Sequence, residues 1–166
     1  MRLNLERANF IDANELTNIC FNSFNQEMIL YKDGKHGGPQ HYDDPNWHIY
    51  SMKEGVYHKI LLDNKLVGAI IIALRGRIKN NTLYHWELVQ VYIDNEYKHK
   101  GIGTFAIKQI EKWFPEMYKL TTCTPSFSVN NIEFYKKLGF NEIDKIYCHE
   151  EDIEIILFEK LYKNSI

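Results

Sequence analysis

The stretch "YKHKGIGTFAIKQI", Tyr97–Ile110, places two glycines one residue apart in front of an apolar run with helical spacing. A helix is therefore predicted to begin at Gly101. The first N–H groups of a helix have no partner within the helix and carry partial positive charge, so they stabilise an anion. Because glycine has no Cβ, the anion can approach the backbone closely. The stretch predicts a phosphate cradle, with added positive potential from Lys98, His99 and Lys100.

Two other kinds of phosphate-binding loop are alternatives for this stretch. The Walker pattern G-x-x-x-x-G-K-[ST] does not occur in the chain. "GIGTFA" fits the dinucleotide-binding pattern G-x-G-x-x-[GA], but that loop follows its strand almost directly. Here the apolar strand ends at Ile93 and a polar segment, Asp94–Lys100, comes between. The dinucleotide interpretation is therefore disfavoured.

Composition excludes several classes of protein. The 166 residues are 45% hydrophobic and 25% charged, with a net charge of −2, so no basic surface is expected to recruit nucleic acid. The longest apolar run, Leu66–Leu74, is too short to cross a membrane, and the N-terminal residues lack the apolar core of a signal peptide. The cysteines Cys20, Cys123 and Cys148 form no disulfide or zinc pattern. We expect a cytoplasmic protein with neither nucleic acid nor membrane as a partner.

Periodicity and turn signals predict a mixed α/β fold with one sheet in the order β-α-α-β-β-β-α-β-α-β-β, as one domain over residues 1–166. Asp12 is expected to cap the first helix, with Glu15 completing a capping box. "DNK" at Asp63–Lys65 predicts a hairpin, and Pro115 ends the helix that begins at Gly101. Residues 31–48 are rich in glycine, proline and aspartate and are expected to form a long loop, with a short helix starting near Pro45.

Two motifs carry a family resemblance. "VYIDNEYKHKGIGTFAIKQIEKWF" resembles the pyrophosphate loop [RQ]-x-x-G-x-[GA] of the GCN5-related N-acetyltransferases (GNAT family), with Lys98 in the Arg/Gln position. "NNIEFYKKLGF", Asn130–Phe140, resembles that family's second signature, N-x-x-F-Y-x-x-x-G-F. The resemblance implies a GNAT-like twisted mixed sheet with a splay between strands 4 and 5. It also implies acetyl-CoA as co-substrate and no metal.

The resemblance implies a set of residues that contact CoA. Its pantetheine arm is expected to pair with the backbone of the fourth strand, and its pyrophosphate to lie on the glycine loop. The implied residues are Val91, Tyr92, Ile93, Lys98, His99, Lys100, Gly101, Ile102, Gly103, Thr104 and Asn131.

Transfer to an amine requires removal of a proton, because an ammonium has no lone pair. Glu87, eleven residues before Lys98, resembles the general-base glutamate of several family members. The alternative is a solvated or structural carboxylate on the strand, and the neighbours Trp86 and Leu88 do not decide which face Glu87 occupies.

Departure of the CoA thiolate is helped by a proton donor. Tyr135 matches the tyrosine that often fills this role, and a core tyrosine is the alternative. Asn131 matches a contact to the CoA arm, and a helix N-cap is its alternative. Cys123 is expected to be a buried small side chain rather than a nucleophile.

The acceptor amine is expected near Tyr31–Trp47. Asp43 and Asp44 can attract a cation between the aromatic walls Tyr42 and Trp47, although a solvated turn explains the same residues. The histidines of this region, His36, His41 and His48, match no zinc spacing.

Two functions remain open from the sequence. The first is an N-acetyltransferase that moves an acetyl group from acetyl-CoA to an amine of a small molecule or peptide by direct attack in a ternary complex. The second is a CoA-binding module without turnover. The acceptor amine and the choice between a monomer and a homodimer are not decided.

Overall fold

The structure, a computed structural model, describes residues 2–31, 37–78, 82–149 and 151–162. Its helices and strands follow the predicted order. The helices are α1 (Ala13–Tyr31), α2 (Pro45–Glu54), α3 (Ile102–Trp113) and α4 (Val129–Lys137). The strands are β1 (Leu3–Arg7), β2 (Val56–Leu62), β3 (Lys65–Ile78), β4 (Leu83–Ile93), β5 (Met117–Pro125), β6 (Asn141–Cys148) and β7 (Ile153–Leu161).

The strands form one sheet in the order β1-β2-β3-β4-β5-β7-β6. The strand pairs β1–β2, β2–β3, β5–β7 and β6–β7 are antiparallel, whereas β4 and β5 are parallel. The β4–β5 register ends at the pair Glu87 and Thr121, although β4 continues to Ile93. This arrangement matches the predicted mixed sheet with a splay at these two strands.

The chain forms two compact units. Unit 1 is Met1–Ala73 with Val89–Trp113, and unit 2 is Leu74–Leu88 with Phe114–Ile166. In unit 1, α1 and α2 pack on a cluster that includes the buried residues Leu16, Tyr57, Ile71 and Tyr92. In unit 2, the buried side chains of Leu88, Leu120, Phe140, Ile156 and Phe158 belong to the core.

The β2–β3 hairpin turns at Asp63 and Asn64, whose φ angles are 49° and 66°. A two-residue hairpin turn of the favoured kind needs positive φ at both positions, which Asp and Asn tolerate best after glycine. The predicted hairpin is therefore confirmed. On β3, Gly68 allows a close approach of β4, because a Cβ there would lie 2.2 Å from the Tyr92 carbonyl oxygen.

The start of the first helical segment differs from the expectation. Asn9, not Asp12, is the cap: Asn9 Oδ1 accepts from Ile11 N at 2.9 Å, and Asp12 Oδ2 accepts from Asn9 N at 2.9 Å. A 3-10 turn, Phe10–Asp12, precedes α1, so Asp12 closes a capping box one turn earlier than expected. Its other oxygen pairs with the Lys59 ammonium at 2.8 Å.

Helix α2 begins at Pro45, so the short helix predicted near this residue is confirmed, and Trp47 and His48 are helical rather than part of the expected loop. Helix α1 extends to Tyr31, the first residue of that expected loop. His36 lies outside the described residues, as do Asn80 and Asn81.

Candidate active site

The predicted cradle lies in unit 1, between the end of β4 and the start of α3. Asp94 N donates to Val67 O at 2.8 Å, which fixes the last residue before the loop to β3. A 3-10 turn, Asn95–Tyr97, follows, and α3 begins at Ile102. His99 and Gly101 have positive φ angles of 61° and 78°. Two residues of the loop therefore have a left-handed backbone conformation before the helix begins.

Six consecutive backbone N–H groups, His99 to Thr104, have no acceptor among the described residues, and the next one, Phe105 N, donates to Gly101 O. A Cβ built on Gly101 would meet nothing within 4 Å. Unpaired donors at a helix start beside open space form an anion site. The donor set fits the pyrophosphate of a CoA molecule.

The three basic side chains of this loop, Lys98, His99 and Lys100, differ in their surroundings. The Lys98 ammonium donates to Ser23 O of α1 at 2.9 Å, and burial lowers the pKa of Lys98, while the carboxylates of Glu27 and Asp94 act in the opposite direction. Lys100 Nζ donates to Glu96 O at 2.9 Å and His99 is exposed. Lys98 is thus directed at α1.

On β4, Val91, Tyr92 and Ile93 offer mainly backbone. Tyr92 and Ile93 are only 2% and 8% exposed, so their side chains are part of the core. An arm that pairs with this segment would use N–H and C=O groups, as in strand addition.

Glu87 lies in unit 2 and is paired. Its Oε2 accepts from Arg75 Nε, and among the described residues no donor is bound to its Oε1. Glu87 is opposite Thr121 in the parallel register, so the two side chains share one face of the sheet. His85 is on that face too, and its Nε2 lies 2.9 Å from Thr121 Oγ1. Burial lowers the pKa of His85, with Lys119 as the next cause.

Tyr135 is 7% exposed and lies in an aromatic group, with ring centroids 5.5 Å from Phe140 and 5.8 Å from Phe158. Phe158 is opposite Thr122 on β5. Since Thr121 and Thr122 are adjacent, they face opposite sides of the sheet. Glu87 and the Tyr135 aromatic group therefore lie on opposite faces.

The end of α4 explains the second signature. Gly139 has φ +86°, Gly139 N donates to Lys136 O at 3.0 Å, and Phe140 N donates to Tyr135 O at 3.1 Å. This is a Schellman motif, in which the residue after the glycine also packs on the helix. The Gly-Phe pair thus ends α4 and places an aromatic ring against Tyr135.

A family model described as "Acetyltransferase (GNAT) family" matches residues 19–140 of the 166. The chain belongs to the GNAT acetyltransferase family. The resemblance stated from the two motifs is thereby confirmed, and so is the GNAT fold class.

Relatives of known structure share this GNAT fold. The PaiA N-acetyltransferase of Thermoplasma acidophilum, solved with coenzyme A, has a TM-score of 0.79 at 18% identity and covers 98% of this chain and 100% of that one. Naa50 of Arabidopsis thaliana, solved with a bisubstrate analogue, has a TM-score of 0.70 at 15% identity, with coverage of 98% and 100%.

A curated relative was also found, the uncharacterized protein YrkN of Bacillus subtilis (strain 168). It is 37% identical over 90 residues, which are 54% of this GNAT chain and 45% of YrkN. The match thus spans less than half the length of that relative.

The residues expected near the acceptor have structural partners. Tyr42 Oη donates to Asn25 Oδ1 at 3.1 Å, and Asp44 caps α2 by accepting from Asn46 N at 2.9 Å. Trp47 packs edge-on against His48 at 5.1 Å. Asp43 is exposed. The solvated-turn interpretation thus accounts for Asp44, whereas Asp43 stays available to a cation.

Sequence reasoning missed a buried polar chain in unit 1. His48 Nε2 lies 3.1 Å from the Tyr42 carbonyl oxygen, which can only accept, so this nitrogen carries the proton. His48 Nδ1 then accepts from Tyr57 Oη at 2.7 Å, and Tyr57 accepts from Tyr92. Burial lowers the pKa of His48 and raises that of both tyrosines. No sequence signal distinguishes this histidine from an exposed one.

One alternative interpretation and one expectation in unit 2 are wrong. The alternative for Asn131 was the N-cap of α4, but that position is Ser128, and Asn131 Nδ2 donates to Thr124 Oγ1 at 3.3 Å. The contact of Asn131 with the CoA arm stays a prediction. Cys123 is exposed, not buried, since it lies on the face of β5 that carries Thr121.

Among the described residues, no group of three or more His, Cys, Asp and Glu side chains is placed to hold a metal ion. No helix in the described ranges is long and apolar enough to span a membrane.

Proposed function

We propose that the protein is an acetyl-CoA-dependent N-acetyltransferase that acetylates an amine of a small molecule or peptide. The observation that carries the proposal is the row of six unpaired N–H groups, His99–Thr104, at the start of α3. Family membership supports the same reaction class. The experiment that tests the first step is calorimetry with CoA, which should bind the wild type and fail to bind Gly101→Asp.

The amine attacks the thioester carbonyl carbon, the carbon–sulfur bond breaks, and CoA leaves with the sulfur electron pair. Acetyl-CoA supplies the activated acetyl group, and the chain supplies proton transfer and orientation. Before attack, the ammonium must lose a proton. We assign Glu87 as the base that removes this proton, either directly or through one water. Its Oε1 is available for this role, while Arg75 holds Oε2 and orients the carboxylate.

Tyr135 is assigned as the donor that protonates the departing sulfur. Its burial among Phe134, Phe140 and Phe158 restricts the ring to one position. Glu87 and Tyr135 lie on opposite faces of the sheet, which supports two separate proton transfers. Glu87 removes a proton from the amine on one face, and Tyr135 donates a proton to the sulfur on the other. Tyr135→Phe should lower turnover without changing the affinity for CoA, and the loss should be smaller for a thioester with a better leaving thiol.

The acceptor is proposed to enter beside Tyr42 and Trp47, with Asp43 as the carboxylate that attracts its charge. Naa50 was solved with an analogue that joins CoA to a peptide, which supports peptide amines as one acceptor class. A panel of amines and N-terminal peptides, followed by release of free thiol, identifies the acceptor. Asp43→Asn should then raise KM for a cationic amine and leave KM for acetyl-CoA unchanged.

A second candidate is a CoA-binding module without turnover. The Arg75–Glu87 ion pair favours it, because a carboxylate held by a guanidinium can be purely structural. CoA binding without thiol release for any amine would favour this second function. A single domain over residues 1–166, a cytoplasmic location and a homodimer stay predictions.

A further inference from the structure

One turn of helix α1, Phe21–Asn25, contacts the loop between β4 and α3 through main-chain carbonyls; this loop, Asp94–Gly101, is called the CoA loop below. Asn95 Nδ2 donates to Asn22 O at 3.0 Å, and Lys98 Nζ donates to Ser23 O at 2.9 Å. A carbonyl has two lone pairs, so both oxygens can also keep their helical bonds to the N–H four residues later. Asn95 and Lys98, which both precede the cradle in the chain, are thus hydrogen-bonded to consecutive carbonyls of this turn.

The same turn of α1 holds Tyr42 through its side chains. The Tyr42 ring is stacked on Phe21, with centroids 5.9 Å apart and planes 4° apart, and lies edge-on to Phe24 at 6.0 Å. Tyr42 Oη donates to Asn25 Oδ1 at 3.1 Å. Tyr42 belongs to the turn that reverses the chain before α2, where Tyr42 N donates to Pro39 O at 3.1 Å.

We propose that the α1 turn Phe21–Asn25 couples the CoA loop to the acceptor turn 39–44, so that CoA binding stabilises the acceptor turn. The inference rests on the proposed CoA site and extends it to a connection within unit 1. Lys98 is the positioning residue of this connection. Its ammonium is directed at Ser23 O and not at the cradle, and Asn95 adds a second bond to the same turn.

The physical basis is local stability. A loop that opens and closes in solution transmits its openings to any turn that is hydrogen-bonded to it. CoA held by the N–H groups of the cradle suppresses opening of the loop, so Asn22 and Ser23 keep their extra bonds for a larger fraction of the time. The α1 turn then opens less often, and Tyr42, which packs on it, is released less often. One hydrogen bond changes such an equilibrium by about fivefold.

Hydrogen–deuterium exchange on the full chain, with and without CoA, tests the proposal. In the wild type, CoA should slow exchange in peptides over residues 98–104, and it should also slow exchange about fivefold over residues 37–47. In Lys98→Met, which keeps the side chain as far as Cε but removes the donor, the first effect should persist and the second should be smaller than in the wild type. Asn95→Ala should also make the second effect smaller.

Lys108→Met is the matched control, because Lys108 is exposed on α3 and its substitution removes the same charge. This variant should keep both effects. Protection over 98–104 without protection over 37–47 in the wild type overturns the coupling and leaves the CoA site intact. Absence of protection over 98–104 overturns the proposed function itself. Equal protection over 37–47 in Lys98→Met, Asn95→Ala and wild type shows that the coupling runs through other residues.

Discussion

Gly101→Ala tests the cradle when it is compared with Gly139→Ala. Both glycines have positive φ, +78° and +86°, so alanine is strained at each position. Neither new Cβ meets a close neighbour: nothing lies within 4 Å at Gly101, and the Lys160 Cε lies at 3.7 Å at Gly139. The two substitutions should therefore cost the same stability, about 1–2 kcal/mol from left-handed backbone strain alone.

Affinity for CoA should separate the two variants. At Gly101 the methyl group occupies the open space beside the six unpaired N–H groups, which a pyrophosphate needs for close approach. Loss of one hydrogen bond to a charged group costs about 1.5–3 kcal/mol, so Kd for CoA should rise about 10- to 100-fold. Gly139 terminates α4, away from this loop in the chain, and its variant should bind CoA within about twofold of the wild type.

Thermal unfolding and calorimetry on the same preparations give both quantities. A loss of about 1–2 kcal/mol lowers Tm by about 2–8 °C in a chain of this length, and the decrease should match in the two variants. The reasoning is wrong if Gly101→Ala binds CoA as the wild type does while showing the expected loss of Tm. It is also wrong if both variants lose affinity in proportion to their loss of stability.

The remaining predictions concern protons and the end of a helix. Glu87→Gln should lower thiol release about 10²–10⁴-fold, with a residual rate that rises with pH, whereas Arg75→Met should lower it less. Equal, small effects of the two variants in stopped-flow thiol assays would mark the carboxylate as structural. Burial lowers the pKa of His48, so below about pH 6.5 the unfolded chain takes up a proton that the folded chain does not. The free energy of unfolding should therefore fall as the pH falls below about 6.5, by up to about 1.4 kcal/mol per pH unit. Urea titrations at several pH values should show a shallower slope in His48→Gln. Arg7 donates at 2.7 and 2.8 Å to two carbonyls at the C-terminal end of α2, and Arg7→Met should lose about 1–2 kcal/mol of unfolding free energy, against no change for the exposed Lys53→Met.

Local chemistry made much of the fold predictable. Asp63 and Asn64 tolerate the positive φ of a tight hairpin, and Pro115 cannot continue α3, so the sequence determines these boundaries by itself. Gly139 similarly marks the end of α4 through its left-handed backbone. Each of these signals depends on one or two residues and their own backbone, which is why it can be interpreted without any tertiary contact.

The helix cap shows where such signals become ambiguous. Asn9 with Asp12, and Asp12 with Glu15, have the same capping-box spacing, and intrinsic preference does not choose between them. In the fold, Asp12 also pairs with Lys59 of β2, which is 47 residues away. A contact over that distance favours the earlier cap, and no local pattern contains it.

The site residues illustrate the same division between residue type and partner. Residue type alone predicts a cation at position 98 and a carboxylate at position 87. It does not predict where either charged group is directed. In the structure, the direction of each charged group is determined by a partner from another element: Ser23 O of α1 for Lys98, and Arg75 of β3 for Glu87. A charge whose donors are already directed at a helix carbonyl is poorly placed to serve a phosphate as well, because the same ammonium would have to leave a partly buried position.

For Glu87 the consequence is different, because a carboxylate has two oxygens and the guanidinium occupies one. The ion pair therefore leaves a basic oxygen in a fixed orientation, so the pairing of Glu87 is compatible with a role as general base.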